Sequence, residues 1–69
     1  MINEQQVNEV KNEAYRVAVR DGSRAAFNMV MDLYPEQAEN ILMQLSVLLE
    51  ATKHTKLSAG IDRLANSLK

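Results

Sequence analysis

One segment of the chain constrains the fold more than any other. Between residues 38 and 52, small or apolar side chains and one threonine recur at alternating steps of three and four residues. They are Ala38, Ile41, Leu42, Leu45, Leu48, Leu49 and Thr52. This spacing places them on one side of an α-helix and makes two heptads of a coiled-coil-type seam. The pattern predicts a helix over residues 35–53, with an apolar side that other helices must cover.

Start and stop signals outline three more helices. Asn3 and Gln6 have the spacing of a capping box. Gly22 can end the first helix, Ser23 is the predicted N-cap of the second, and Pro35 stops that second helix. No segment alternates with the period of a strand. The predicted fold is therefore all-α, a single domain over residues 1–69, with a small bundle or hairpin of three to four short helices. The predicted helices are 4–20, 23–34, 35–53 and 55–68.

The junction of the last two helices has two interpretations. Leu57 lies about 120° around a continuous helix from Leu45, so the final apolar stripe is out of phase with the seam. Either the helix breaks near the residues TKHT, with Thr55 as the new N-cap, or one long helix contacts two different partners. Threonine favours caps and Gly60 lowers helix propensity, so we favour the break.

The size of the chain limits its sources of stability. A domain of 69 residues buries only about 60% of the surface that its unfolded chain exposes. The sequence has no cysteine and one histidine, so we expect no disulfide, no structural metal and no cofactor. A partner subunit is the remaining usual source of stability. The seam and the out-of-phase stripe together suggest more apolar surface than one chain covers, and we expect a homodimer.

The sequence also suggests a compartment. Its start, MINEQQVNEV, has neither the basic residues nor the apolar run of a signal peptide. Gln44, Ser46 and Glu50 interrupt the most apolar stretch, so we expect no membrane span. The absence of cysteine agrees with a reducing environment. We therefore expect a soluble, cytoplasmic protein.

Residues suited to catalysis are few. His54 lies between lysines in TKHTK, with no nucleophile or second ligand at a useful spacing. We interpret it as a cation near the negative end of the third helix. The acidic residues form pairs on helices, which we interpret as solvated charges. The sequence therefore predicts a protein that is not an enzyme.

The second helix carries apolar residues on several sides, including two methionines and a tyrosine. Methionine adapts to irregular surfaces, and tyrosine combines a rigid ring with a polar tip. We assign Phe27, Val30 and Leu33 to the core. The predicted oligomer or partner interface consists of Met29, Met31, Tyr34, Leu45, Leu48, Leu57, Ile61, Leu64 and Leu68. The leading hypothesis is a small non-enzymatic protein-binding module, such as an adaptor, regulator or inhibitor of a larger protein.

Basic side chains suggest an alternative partner. They form two possible patches, one of Arg16, Arg20 and Arg24 and the other of Lys53, Lys56 and Arg63 with His54 and Lys69. Two such patches in a dimer would provide a positive field for nucleic acid. Against this, nine acidic residues outnumber eight basic ones and the pI is about 5.7. A third hypothesis is an enzyme or small-ligand binder with its site between subunits.

Overall fold

Four helices make up the structure. The computed structural model describes residues 3–68, and among them the elements are α1 (Glu4–Asp21), α2 (Ser23–Leu33), α3 (Ala38–Ala51) and α4 (Thr55–Asn66), with no strand. The all-α fold class is confirmed. Helix α3 begins three residues later than predicted, because residues 35–37 form a turn instead of a first helical turn. In that turn the Gln37 amide donates to the Tyr34 carbonyl at 3.2 Å.

The first helix begins at the predicted capping box. The Asn3 side chain accepts from the Gln6 amide at 2.8 Å, and the Gln6 side chain accepts from the Asn3 amide at 3.0 Å. The helix ends at Gly22, whose φ of 102° lies in the region that favours glycine. The Gly22 amide donates to the Ala18 carbonyl at 2.9 Å.

Two predicted N-caps are wrong. Ser23 and Thr55 are the first residues of α2 and α4, so the cap positions belong to Gly22 and His54. Neither cap position provides a side-chain hydrogen bond to its helix. The reason is that Gly22 serves both as the end of α1 and as the cap of α2. The turn that follows α3 extends through His54, so His54 takes the cap position of α4.

Helices α3 and α4 are separated by a Schellman turn, so the predicted break is confirmed. The Lys53 amide donates to the Glu50 carbonyl at 3.0 Å, and the His54 amide donates to the Leu49 carbonyl at 2.8 Å. This is the pair of bonds that defines the motif. Lys53 occupies the position usually taken by glycine and has a φ of 69°. A single residue in the left-handed conformation, Lys53, therefore lets the chain reverse its direction between α3 and α4.

The helices pack as two hairpins against each other. Helix α1 pairs with α2 and α3 with α4, while α1 also packs on α3 and α2 on both α3 and α4. The largest fully buried side chains lie mainly on α3: Ile41, Leu42, Leu45 and Leu49, together with Ile61 of α4 and Val30 of α2. Most of the α3 seam is thus covered by helices of its own chain, while Leu48 is half-buried and Thr52 is exposed.

The out-of-phase stripe of α4 also faces the interior. Ile61 is fully buried, and Leu57 and Leu68 pack against the core. Because the chain reverses between α3 and α4, both stripes point into the same core. The two patterns from which we expected association are satisfied within one chain. The homodimer remains a prediction that these patterns no longer support.

Two close contacts fix the position of α4. Ser46 and Ser58 are buried, with their hydroxyl oxygens 2.8 Å apart, and the Ser58 hydroxyl also lies 3.0 Å from the Ser46 carbonyl. Gly60 lies against the start of α2, where an added Cβ would collide with Ser23 Oγ. Helix α4 therefore has little freedom to shift along α3 or to approach α2.

The core assignments for α2 need one correction. Val30 is fully buried and Phe27 packs partly against the core, as expected. Leu33 was also assigned to the core, but its exposed fraction is 58%. It is the last residue of α2, immediately before the chain leaves the helix at Tyr34.

The conformation of Lys53 leads to a prediction about stability. Lys53→Gly is expected to raise the free energy of unfolding by about 0.5–1 kcal/mol, because glycine adopts positive φ without the steric cost of a Cβ. The measurement is urea denaturation followed by circular dichroism. Lys53→Ala is the control, since it removes the charge but keeps the Cβ, and it should change stability by less than about 0.5 kcal/mol. Equal effects of the two variants would contradict the explanation.

The contact between Gly60 and Ser23 leads to a second prediction. Gly60→Ala gains about 1 kcal/mol of helix propensity, but the new Cβ collides with Ser23 Oγ. In a Ser23→Ala background the hydroxyl that the new Cβ meets is absent. Gly60→Ala should therefore raise the free energy of unfolding by about 1 kcal/mol more in that background than in the wild type. A double-mutant cycle in urea measures this coupling energy. A coupling near zero would contradict a steric conflict between the new Cβ and the Ser23 hydroxyl.

Candidate functional site

The outer side of α3 exposes apolar side chains. The exposed fraction is 55% for Met43 and 68% for Val47. They lie four residues apart, about one turn of the helix, on the side opposite the buried Leu45. Leu48 and Ala51 continue this surface towards α1. We call Met43, Val47, Leu48 and Ala51 the α3 strip.

A groove runs beside the α3 strip. It has a volume of about 510 Å³ and is lined by the four strip residues with Asn40, Gln44 and Lys11, the last from α1. Its polar groups are partly occupied by local hydrogen bonds. The Gln44 amide donates to the Asn40 side chain at 3.2 Å, and the Lys11 ammonium donates to the Asn8 side chain at 3.2 Å. The groove therefore presents a mainly apolar wall with a few short-range polar contacts.

A second, smaller depression lies on the other side of Met43. It has a volume of about 190 Å³ and is lined by Glu39, Met43, Asp62, Ala65 and Asn66. Met43 is thus shared by both depressions. We call Glu39 and Asp62, which are exposed, the acidic edge.

Helical geometry explains why the two sides of the strip differ. On α3, Val47 lies about 40° around the helix from Met43, and Glu39 lies about 40° in the opposite direction. Ser46 is on the same side as Glu39, and its contact with Ser58 shows that this side faces α4. The α3 strip consequently has an acidic edge towards α4 and Lys11 towards α1.

The structure separates the nine predicted interface residues. Leu45 and Ile61 have no exposed surface, so they have nothing to offer a second chain in this fold. The other seven are half-buried, and of these Met29, Met31, Tyr34, Leu57 and Leu68 pack against the core. Leu48 is the one residue of the nine that lines the groove.

The most exposed apolar residues of α3 were not among the nine. Met43 and Val47 flank the α3 seam in the sequence, but the predicted interface did not include them. Their position in the helical repeat could have identified them. It places them on the outward side of α3, where the residues of an amphipathic helix are normally polar. Two apolar residues one turn apart on that side are therefore informative.

The predicted basic patches are partly neutralised. Arg16 forms an ion pair with Glu13 at 2.7 Å, and Arg20 forms one with Asp21 at 3.0 Å. The remaining basic candidates among the described residues, Arg24, Lys53, Lys56 and Arg63, are exposed and line neither depression. Lys69 lies outside the described residues.

His54 contributes to packing. Its ring meets the ring of Tyr15 edge-on, with the centroids 5.8 Å apart and an interplanar angle of 70°. This contact ties α1 to the turn after α3, which adds a packing role to the predicted one at the end of the helix. Within the part of the chain that the structure describes, no three histidine, cysteine, aspartate or glutamate residues group as a metal site would require.

None of the helices formed by residues 3–68 has both the length and the apolar content needed to cross a bilayer. Comparison with known proteins adds no relationship: no family model, no curated protein and no solved structure matches the chain.

The contrast between the two sides of α3 can be tested by placing the same charge on each. Leu45→Asp should lower the free energy of unfolding by about 4 kcal/mol or more, enough to unfold a domain of this size, because it buries a carboxylate without a partner. Val47→Asp should lower it by less than about 1 kcal/mol, because the side chain stays in water. Thermal and urea denaturation provide both values. A large loss from Val47→Asp would mean that the α3 strip is part of the core.

Proposed function

We propose that this protein is a small non-enzymatic protein-binding module that docks onto a larger protein through the α3 strip. The observation that carries the proposal is the exposure of Met43 and Val47, at 55% and 68%, beside an apolar groove of about 510 Å³. Covering apolar surface of this kind contributes about 25 cal/mol per Å² to binding before the costs of association are subtracted. An adaptor, regulator or inhibitor needs such a surface and no reacting group.

The shape of the surface favours a helical partner. Helix α3 has 14 residues, which corresponds to a length of about 21 Å. Along its outer side, Asn40, Met43, Val47 and Ala51 recur at steps of three and four residues. This is the spacing at which a second helix can lie alongside and insert its own side chains. Met43 can adapt its conformation to an irregular partner.

The chemistry of the groove supports binding over catalysis. Catalysis requires an acid, base or nucleophile within hydrogen-bonding reach of the reacting atoms. Around the groove the polar side chains are two amides and the Lys11 ammonium, each with a neighbour of its own. The histidine is packed against Tyr15 instead. These groups are suited to orienting a ligand.

A second copy of the chain is another candidate occupant of the same surface. A strip on one helix can meet itself across a two-fold axis, which is the commonest arrangement of homodimers. This would give the expected homodimer a different interface from the predicted seam, since Leu45 is fully buried. The same experiment distinguishes the two occupants.

Site-specific photo-crosslinking in the cells of the source organism tests the proposal. A benzophenone side chain at position 43 or 47 is expected to give a discrete covalent adduct with another protein. The same group at position 12, an exposed residue of α1, is the matched control and should give none. An adduct at twice the 7.8 kDa mass of the chain would identify a second copy. Identical adduct patterns at all three positions, or no adduct at 43 and 47, would contradict the proposal.

A further inference from the structure

Resting on the proposed function, we propose that the occupant of the α3 strip is a helix of another protein with basic side chains along one flank. The exposed apolar residues alone leave the chemistry of the partner open. It follows from the acidic edge, because Glu39 and Asp62 line the smaller depression together with Met43. Any helix that covers Met43 lies next to both carboxylates.

Among the cations that the structure describes, none forms an ion pair with the acidic edge. The ion pairs formed within residues 3–68 join Arg16 to Glu13 and Arg20 to Asp21, all of them outside the two depressions. Lys11 is on the other side of the strip, in the larger groove. Glu39 and Asp62 are therefore available to a partner.

Docking on the strip changes the surroundings of these carboxylates. A helix over Met43 and Val47 displaces water from the neighbouring edge, and a carboxylate that loses water without gaining a partner opposes binding. Lysine or arginine on the flank of the docked helix would restore the lost interactions. Their long aliphatic stems can also cover apolar surface such as Met43 while the charge reaches the edge.

A second copy satisfies this requirement less well. In an antiparallel pair with its two-fold axis perpendicular to α3, the acidic edges of both copies lie on the same flank, so that flank carries four carboxylates and gains no cation from the copy's edge. In a parallel pair the acidic edge would face the side with Lys11, which offers one cation to two carboxylates. The parallel arrangement would also align the two α3 dipoles. A different chain with a basic flank meets neither difficulty.

Selection from a displayed peptide library tests the inference. The probe is a library of helical peptides of about 21 residues, long enough to span α3. Its seam positions are apolar, and every flank position is varied equally among lysine, glutamate and glutamine. The library is selected on the full-length protein and counter-selected on Val47→Asp. Enriched peptides are expected to carry lysine in excess of glutamate on one flank.

Variants of the acidic edge separate a local effect from net charge. Glu39→Gln/Asp62→Asn should weaken an enriched peptide about three- to tenfold in fluorescence anisotropy, because each exposed carboxylate contributes modestly. Glu9→Gln/Asp32→Asn is the matched control: it removes two exposed carboxylates from α1 and α2 that line neither depression. The control should bind the peptide as the wild type does.

The outcomes distinguish this inference from the proposed function. Equal enrichment of lysine and glutamate, with binding still lost in Val47→Asp, overturns the basic flank and leaves the docking surface intact. The basic flank is also overturned, with the docking surface intact, if sedimentation shows a homodimer and the Val47→Asp substitution dissociates it. Selected peptides that bind Val47→Asp as tightly as the wild type, or a library that yields no binder, overturn the docking surface itself.

Discussion

The left-handed conformation of Lys53 is the constraint on which the arrangement of the helices depends. With a φ of 69°, this residue lets the Schellman turn form and reverses the chain between α3 and α4. Ile61 then points into the core that the α3 seam has already formed. Had the helix continued, the two apolar stripes would have faced different directions. The fold thus gains a common core from one backbone angle that is unfavourable for a residue with a Cβ.

Much of the fold could be predicted from local patterns, because those patterns have local causes. The capping box at Asn3, the end of α1 at Gly22 and the seam of α3 all follow from the residue types at those positions. The turn at Lys53 was predicted only as a break, since lysine carries no signal for positive φ. Leu33 was wrongly assigned to the core because its exposure depends on where the neighbouring helices end. The spacing of apolar residues within one helix carries no information about those ends.

The candidate site was harder to predict than the fold. A heptad pattern identifies the side of α3 that must be covered, but it does not identify which helices cover it. Sequence reasoning assigned that task to a second chain and therefore chose Leu45 and Ile61 as contact residues. The structure covers them with the two hairpins and leaves Met43 and Val47 outside. Residues of a binding surface can be identified from a pattern only after the intramolecular contacts are known.

The paired hydroxyls of Ser46 and Ser58 have a mechanical consequence. Their hydrogen bonds are made in one axial register of α3 and α4. Sliding either helix by one turn would separate the two hydroxyls, and a buried hydroxyl left unpaired costs about 1–3 kcal/mol. The two serines therefore fix the axial register of the second hairpin. Because Gly60 lies against Ser23, α4 is also held against the beginning of α2.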